Sequence, residues 1–302
     1  MKHNVKITSM LVLIFLLSQV VGLFVVNKYI DHQAIEQKGK LEYNALPYGF
    51  ERPAVEEKTS FIYISIAVII GTGLFFILVK YRKIGLWKAW FLFAVFFTLI
   101  VSFSAFMPNP IALALSAVLA FWKVFKPNQY VHNASEIFIY GGLAAIFVPI
   151  INVFSAFILL LLISAYDMFA VWKSKHMIKM AEFQTEAKMF AGLSIPYSKK
   201  DEEMQGAVSV HNKTGAPAQK QKVAILGGGD IGFPLLFAGA IMKELMLNNT
   251  EIIGFLKALA IPFFSAIALA ILLVKAEKSK FYPAMPFISI GCVIGYLAVL
   301  LL

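Results

Sequence analysis

Asp167 and Asp230 are the residues best suited to chemistry, because each lies inside an apolar run of the sequence. A charged carboxylate is costly in hydrocarbon, so intramembrane acids are candidates for function by default. Two carboxyl groups in one low-dielectric site share a proton, so one can activate water while the other polarises a carbonyl. Such a pair can hydrolyse a peptide bond, or bind and release H⁺ in a carrier. A purely structural role for each Asp also stays open.

The residues around Asp230 form an unusual combination. Gly227, Gly228 and Gly229 precede the acid, and their missing side chains let a neighbouring helix or an extended substrate come close. Pro234 follows four residues later and has no N–H to donate to the Asp230 carbonyl. A helix at this place is therefore loosened at the acid itself.

A third feature is the segment Tyr-Pro-Ala-Met-Pro at 282–286, which begins the last apolar run. Its two prolines interrupt a regular helix and leave backbone groups available beside the acids. A membrane helix must be unwound before it is cut, and strand-like pairing would replace its lost hydrogen bonds. Prolines also suit the ordinary start of a helix, so both interpretations remain.

Composition indicates where these residues reside. The 302-residue chain is 60% hydrophobic and only 15% charged, and its mean hydropathy is +0.77. Soluble domains keep about 25% charged residues, so a cytosolic enzyme, a nucleic-acid-binding protein and a disulfide scaffold do not fit. The single Cys292 lies in an apolar run, and no His or Cys spacing predicts a metal or cofactor site.

Apolar runs of about 18 residues or more predict an all-α polytopic membrane protein with nine transmembrane helices. The double runs are broken at 107–110 and 149–152. The first span follows a basic start but is long and lacks a small-residue cleavage site, so we expect it to be retained. The fifth is the shortest. The nine predicted spans are 7–27, 59–79, two within 89–122, two within 137–172 (the first about 137–150), 223–242, 258–274 and 281–302.

The basic residues orient these spans. With the N-terminus in the cytoplasm and the C-terminus outside, the inner segments hold 20 of the 27 Lys and Arg residues, in agreement with the positive-inside rule. Omitting the fifth span would put the basic segment 173–222 outside. In this topology Asp167 and Asp230 lie about 7 and 12 Å from the inner edge, on consecutive antiparallel helices, so they can face one another.

Three parts of the chain follow from this topology. Residues 1–172 form an N-terminal membrane part with spans one to six, and 223–302 form a C-terminal membrane part with spans seven to nine. Between them, 173–222 is a cytoplasmic loop in which 176–193 predicts a helix on the membrane surface and 194–222 a mobile segment. The loop gates substrate or is a solvated linker. The outer segment 28–58 is an ordered cap or a connector.

Together these motifs resemble the presenilin and signal peptide peptidase family of GxGD intramembrane aspartyl proteases. That family has nine spans, with Tyr-Asp in the sixth, Gly-x-Gly-Asp in the seventh and Pro-Ala-Leu at the start of the ninth. Tyr166-Asp167 and Gly227 to Asp230 match. Pro283-Ala284-Met285 departs at its third position, where Met conserves the volume of Leu. The short chain is similar to the compact microbial, archaeal-type members.

The resemblance implies that Asp167 and Asp230 are the catalytic pair of an aspartic endopeptidase with no metal or cofactor. It implies substrates that are single membrane-spanning helices or remnant signal peptides, in the lipid bilayer and without nucleic acid. Obligate partner subunits are not expected, a homo-oligomer is possible, and the location is the cell membrane in a prokaryote. The residues implied to shape the site are Tyr166, Gly227, Gly228, Gly229, Pro283, Ala284 and Met285.

Two other functions remain open from the residues alone. A proton- or cation-coupled transporter would use the buried Asp pair to carry charge, although it leaves the prolines unexplained. A non-catalytic membrane scaffold would tolerate Asn at both acid positions. Prepilin-type peptidases share Gly-x-Gly-Asp, but they have fewer spans and lack a motif like Pro-Ala-Leu.

Overall fold

The computed structural model describes residues 5–174, 183, 189–196, 223–276 and 282–301. Helices dominate these residues, with two short strands in the second half of the chain. The elements are α1 (Val5–Tyr29), α2 (His32–Lys38), α3 (Ser60–Lys80), α4 (Ile84–Ser104), α5 (Asn109–Phe125), α6 (Gln129–Phe147), α7 (Val153–Phe169), β1 (Gly192–Pro196), β2 (Val223–Gly227), α8 (Gly228–Asn248), α9 (Glu251–Ala258), α10 (Ala260–Lys275) and α11 (Met285–Leu301).

Several helices of the described part suit a bilayer. Six helical segments are long and apolar enough to cross a membrane, and α5 and α11 are apolar but shorter. Large apolar side chains such as Ile69, which is 67% exposed, cover their outer faces, as expected where lipid replaces water. The chain is a multi-pass membrane protein. The six segments are Val5–Tyr29, Ser60–Lys80, Ile84–Ser104, Gln129–Ile150, Val153–Lys173 and Glu251–Lys275.

The fifth predicted span is longer than the sequence indicated. The helix begins at Gln129, after Asn128, whose side chain accepts a hydrogen bond from the Tyr130 N–H. With the turn that follows α6, the segment to Ile150 has 22 residues, or roughly 33 Å. The predicted spans left residues 123–136 as a connecting loop, which was wrong, because most of them lie in α5 and α6. Lys123, Ser135 and Glu136 of this segment belong to helices and are buried.

The seventh predicted span is shifted. Val223 to Gly227, expected to be helical, form β2, and the helix starts only at Gly228 and continues to Asn248. Lys243, expected in an outer loop, is therefore inside α8, where it is 1% exposed and lies 3.2 Å from Glu57 Oε1.

The two strands pair antiparallel, with Gly192 opposite Gly227 and Pro196 opposite Val223. Residues 194–196 were expected to be mobile, so their place in β1 corrects that prediction. Gly192 and Leu193 are likewise strand rather than surface helix. The rest of the helix expected over 176–193 lies mostly outside the described residues. The strands thus form at the place where the chain enters the helix that carries Asp230.

Residues 28–58 form an ordered cap, which is one of the two possibilities that the sequence left open. The guanidinium of Arg52 lies 5.8 Å from the ring centroid of Tyr29 and 5.6 Å from that of Tyr43. Arg52 Nε also donates to the Ala145 carbonyl at 3.3 Å. One cation therefore joins the cap to α1 and to α6, with cation–π attraction and a charge-assisted hydrogen bond.

Helix α11 is held against α10 by two glycines four residues apart. A Cβ on Gly291 would lie 2.6 Å from the Phe264 carbonyl oxygen, and one on Gly295 would lie 2.7 Å from Ile261 Cα. Residues with this spacing share a helix face, and small residues there let two membrane helices approach backbone to backbone. This contact fixes α11, whose first residues belong to the Pro-Ala-Met motif.

We predict that Gly291→Ala lowers the thermal unfolding temperature in detergent, because the added methyl group meets α10 backbone atoms that cannot move aside. We expect the free energy of unfolding to fall by about 1–3 kcal/mol. The matched control is Gly71→Ala in α3, where a Cβ meets nothing within 4 Å and alanine favours the helix. Equal unfolding temperatures for the two variants would contradict the close α10–α11 contact.

Candidate active site

Asp167 lies near the end of α7 and is 8% exposed. Its carboxylate accepts a hydrogen bond from the Met285 N–H at 3.1 Å and a second from the Ala284 N–H. These N–H groups stand at the start of α11, where they have no partner within the helix and where the helix dipole is positive. The backbone of the Pro-Ala-Met motif therefore holds Asp167.

Two prolines flank the N–H groups that bond Asp167. Pro283 is buried just before the helix and Pro286 is its second residue, positions where a missing N–H costs no helical hydrogen bond. Met285 is 2% exposed and packs in the core. The N–H groups of Ala284 and Met285 are bonded to Asp167, and a role of the backbone carbonyls of this segment in holding substrate stays a prediction.

Asp230 is the third residue of α8, and Gly227 is the residue that caps this helix. The Gly227 N–H donates to the Asp230 carboxyl group, as in a capping box. A Cβ on Gly227 would lie 3.2 Å from Asp230 Oδ2, tighter than ordinary contact. A glycine at 227 therefore leaves room for the carboxyl group to fold back onto the cap.

The structure brings the two acids together. Helices α7 and α8 pack against each other, and the Asp167 and Asp230 carboxyl groups are close enough to interact electrostatically. The expectation that the two acids lie on helices that pack together is thus met, whereas their depth in the membrane stays a prediction. Two carboxyl groups near each other in a low-dielectric site do not both ionise easily, and such a pair can act as a base and an acid.

The other predicted site residues take different positions. Tyr166 is 42% exposed, so its side chain lies at the surface beside Asp167 rather than between the acids. Gly229 is exposed, and a Cβ there would make only ordinary contact, 3.5 Å from the Phe233 ring. A Cβ on Gly228 would lie 2.7 Å from the Tyr140 hydroxyl. Each of the three glycines before Asp230 thus has a different neighbour: the Asp230 carboxyl group at Gly227, the Tyr140 hydroxyl at Gly228 and the Phe233 ring at Gly229.

The first turn of α8 also receives a polar side chain from α1. Gln19 is fully buried, and its Nε2 donates to the Ile231 carbonyl at 2.8 Å. The preceding carbonyl, that of Asp230, has no helical donor, because Pro234 lacks an N–H. The turn lacks one helical hydrogen bond at Asp230, and the bond from Gln19 to the Ile231 carbonyl ties it to α1.

A buried ion pair near this site was missed by the sequence analysis. Lys123 Nζ lies 2.7 Å from Glu136 Oε1, and the two side chains are 1% and 2% exposed. Glu136 also accepts a hydrogen bond from the Tyr140 hydroxyl. The available signals were Asn128 as a helix cap and the four-residue spacing of Glu136 and Tyr140.

Side chains of α6 occupy the outer edge of β1. The Gly192 N–H donates to Glu136 Oε2 at 3.2 Å, and the Gly192 carbonyl lies 2.7 Å from His132 Nε2. The Ser194 N–H donates to Asn133 Oδ1 at 3.1 Å, and the Ser194 carbonyl accepts from Asn133 Nδ2 at 2.7 Å. This edge of the sheet is closed to further pairing.

The outer edge of β2 has backbone groups that face away from β1 and from α6. Because the Ser194 backbone faces α6, its partner Ile225 forms a non-hydrogen-bonded pair with it. The Ile225 N–H and C=O are therefore directed away from β1, and its side chain is 52% exposed. This outer edge of β2 leads directly to Gly227 and Asp230.

No three His, Cys, Asp or Glu side chains of the described ranges are grouped to hold a metal ion. The chemistry that this part of the chain offers is that of two carboxyl groups at the ends of packed apolar helices. Carboxyl groups so placed can transfer protons to and from water and a carbonyl oxygen.

Comparisons with known proteins agree on one family. Residues 11–302 match the family model described as signal-peptide peptidase, presenilin aspartyl protease. No curated protein matches the chain significantly. Two solved structures of a presenilin family intramembrane aspartate protease share the fold. One has a TM-score of 0.61 and 17% identity, covering 97% of this chain and 98% of that chain. The other has a TM-score of 0.60 and 19% identity, covering 96% of each.

We predict that Gly192→Ala disrupts the β1–β2 pairing and lowers the unfolding temperature in detergent strongly. Gly192 has φ +138°, and a Cβ there would overlap the Leu226 carbonyl oxygen. The matched control is Gly39→Ala, with φ +62° and nothing within 4 Å of the added Cβ, where only the backbone cost of about 1 kcal/mol applies. If Gly192→Ala lowers the unfolding temperature no more than Gly39→Ala does, β1 does not approach β2 this closely.

Proposed function

The chain belongs to the signal-peptide peptidase and presenilin aspartyl protease family, and we propose that Asp167 and Asp230 are its catalytic pair. The family makes it an intramembrane aspartyl protease, an aspartic endopeptidase. One observation carries the residue assignment: the carboxyl groups of Asp167 and Asp230 interact across two packed helices. Proteolysis thus takes precedence over the transporter that the sequence left open.

In the proposed mechanism the two carboxyl groups hold one proton between them. The ionised carboxylate takes a proton from water while the water oxygen attacks the peptide carbonyl carbon, and the protonated carboxyl group gives its proton to the carbonyl oxygen. In the second step the carboxyl group that took the proton from water gives it to the amine nitrogen as the C–N bond breaks. The other carboxylate takes a proton from one hydroxyl of the tetrahedral intermediate, which leaves a carboxylic acid product and restores the single shared proton. The Met285 N–H bond keeps Asp167 in place during both steps.

The substrates we propose are single membrane-spanning helices and remnant signal peptides. A helix must be unwound to be cut, and each unpaired backbone group costs free energy in hydrocarbon. No other described residue is hydrogen-bonded to the outward N–H and C=O of Ile225, so this edge can pair with an extended segment. Such a strand would run past Gly227 and Gly229 toward Asp230, and no side chain at these glycines stands in its way.

We further propose the full topology of nine spans, with the N-terminus in the cytoplasm and the C-terminus outside. Helices α5, α8 and α11 would complete the six longer segments. The chain would divide into membrane parts 1–172 and 223–302, joined by the cytoplasmic loop 173–222. We propose activity without obligate partner subunits, as a monomer or a homo-oligomer, in the cell membrane if the source is a prokaryote.

We predict that Asp167→Asn and Asp230→Asn each abolish cleavage of a purified single-span substrate in detergent. Loss of the acid or of the base removes proton transfer in both steps, and a fall of about 100-fold to 10,000-fold or more is expected. The measurement is the initial rate of product formation by gel or mass spectrometry, with the unfolding temperature recorded for each variant.

The matched control is Asp31→Asn. Asp31 caps α2 in the outer segment by accepting from the Ala34 N–H at 3.1 Å, and Asn caps a helix equally well. This variant should cleave at the wild-type rate. Cleavage that survives in both Asp167→Asn and Asp230→Asn would exclude the paired-acid mechanism and favour a transporter or a scaffold.

We also predict that Ile225→Pro raises KM for the same substrate, while kcat changes less. Proline removes the outward N–H of β2 but none of the bonds to β1, and it is tolerated where the N–H faces away from the sheet. Ile225→Val keeps the N–H and is the control for the side chain. Equal KM values for the two variants would rule out pairing of substrate with this edge.

A further inference from the structure

Glu136 is the centre of a buried polar network on the α6 side of the sheet. Its two carboxylate oxygens serve different elements: Oε1 lies 2.7 Å from Lys123 Nζ of α5. Oε2 accepts from the Tyr140 hydroxyl and from the Gly192 N–H, the latter at 3.2 Å. One carboxylate therefore joins α5, α6 and β1.

The cation of this network is fully engaged as well. Lys123 Nζ also donates to Ser135 Oγ at 3.0 Å and to the His132 carbonyl at 3.3 Å. A buried charge is tolerated when it is paired and its remaining hydrogen bonds are made. Lys123 and Glu136 both meet this condition in the observed arrangement, which holds the Glu136 carboxylate between α5, α6 and β1.

Tyr140 extends from this carboxylate along the first turn of α8. A Cβ on Gly228 would lie 2.7 Å from the Tyr140 hydroxyl, and a Cβ on Gly232 would lie 3.8 Å from Tyr140 Cδ1. These two glycines are four residues apart and so lie on one face of the helix. The phenol cannot swing aside without breaking its bond to Glu136. Tyr140 therefore sets how closely α6 approaches the turn that contains Asp230.

The same carboxylate also holds the other side of this turn. Gly192, bonded to Glu136 Oε2, pairs with Gly227, whose N–H donates to the Asp230 carboxyl group. The next N–H, that of Gly228, donates to the Ala191 carbonyl at 3.1 Å. The turn is thus held through β1 on one side and through Tyr140 on the other.

We propose that Tyr140 and Glu136 are positioning residues that keep Asp230 at its working distance from Asp167. The proposal rests on the catalytic role of Asp230 proposed above. Neither residue exchanges a proton with the substrate. Their effect is geometric, and a displacement of about 1 Å in a catalytic group can cost roughly 100-fold in rate.

The first test compares Tyr140→Phe with Tyr29→Phe. Tyr29 is a matched control, since it is also buried and its hydroxyl donates to the Val101 carbonyl at 2.7 Å, in a helix pair away from the acids. We expect Tyr140→Phe to lower kcat about tenfold or more, with KM within about twofold of wild type. Tyr29→Phe should keep the wild-type kcat. Unfolding temperatures in detergent should be similar for the two variants.

The second test uses the contact between Tyr140 and Gly228. In Gly228→Ala the new methyl group lies 2.7 Å from the phenol oxygen, whereas the nearest ring carbon, Cε1, is 3.4 Å away. Removing the hydroxyl therefore relieves the clash. We expect Gly228→Ala alone to lose most activity, and the double variant Gly228→Ala/Tyr140→Phe to cleave faster than Gly228→Ala. If the two substitutions acted independently, their reductions in rate would multiply and the double variant would cleave more slowly than Gly228→Ala.

The outcomes separate this inference from the proposed function. If Asp230→Asn still cleaves, the proposed function fails. If wild type cleaves and Asp230→Asn does not, the inference alone fails when Tyr140→Phe has the kcat of Tyr29→Phe, or when the double variant is slower than Gly228→Ala. Should Gly228→Ala not fold, the comparison of Tyr140→Phe with Tyr29→Phe decides.

Discussion

The cost of a charge in hydrocarbon is the constraint on which this structure depends. Each buried charge near the site is placed where the fold already provides partners: Asp167 lies against the free N–H groups at the start of α11, and Asp230 folds back onto the cap of α8. Lys123 and Glu136 compensate each other. Helix ends and ion pairs thus allow reactive carboxyl groups to exist in a bundle that lipid surrounds.

Glycine decides how closely the elements that carry these groups approach. Gly291 and Gly295 bring α11 against α10, and so fix the N–H groups that Asp167 needs. Gly228 leaves the space that the Tyr140 hydroxyl occupies, and Gly192 permits the backbone of β1 to meet that of β2. In a membrane, where apolar side chains gain little by leaving lipid, such close backbone contact is a principal source of helix association.

A two-stranded sheet within a helical membrane protein needs its edges satisfied. Side chains of α6 bond the outer backbone groups of Gly192 and Ser194, so β1 is closed. The outer edge of β2 at Ile225 faces away from β1, and β2 leads directly to Asp230. This asymmetry links the fold to the proposed reaction, because an unwound substrate has unpaired backbone groups that match those of an open edge.

The membrane class, the two acids and the three motifs were determined by the sequence itself, because composition and local spacing suffice for them. Asp167 and Asp230 stand out as acids in long apolar runs whatever the tertiary structure is. The role of Lys123 and Glu136 was decided only by tertiary structure: their polar neighbourhood was interpreted as a loop, and the partner that makes burial tolerable lies on another helix. The strand at 192–196 likewise depends on pairing with residues about 30 positions away. Local pattern does not contain such distant partners.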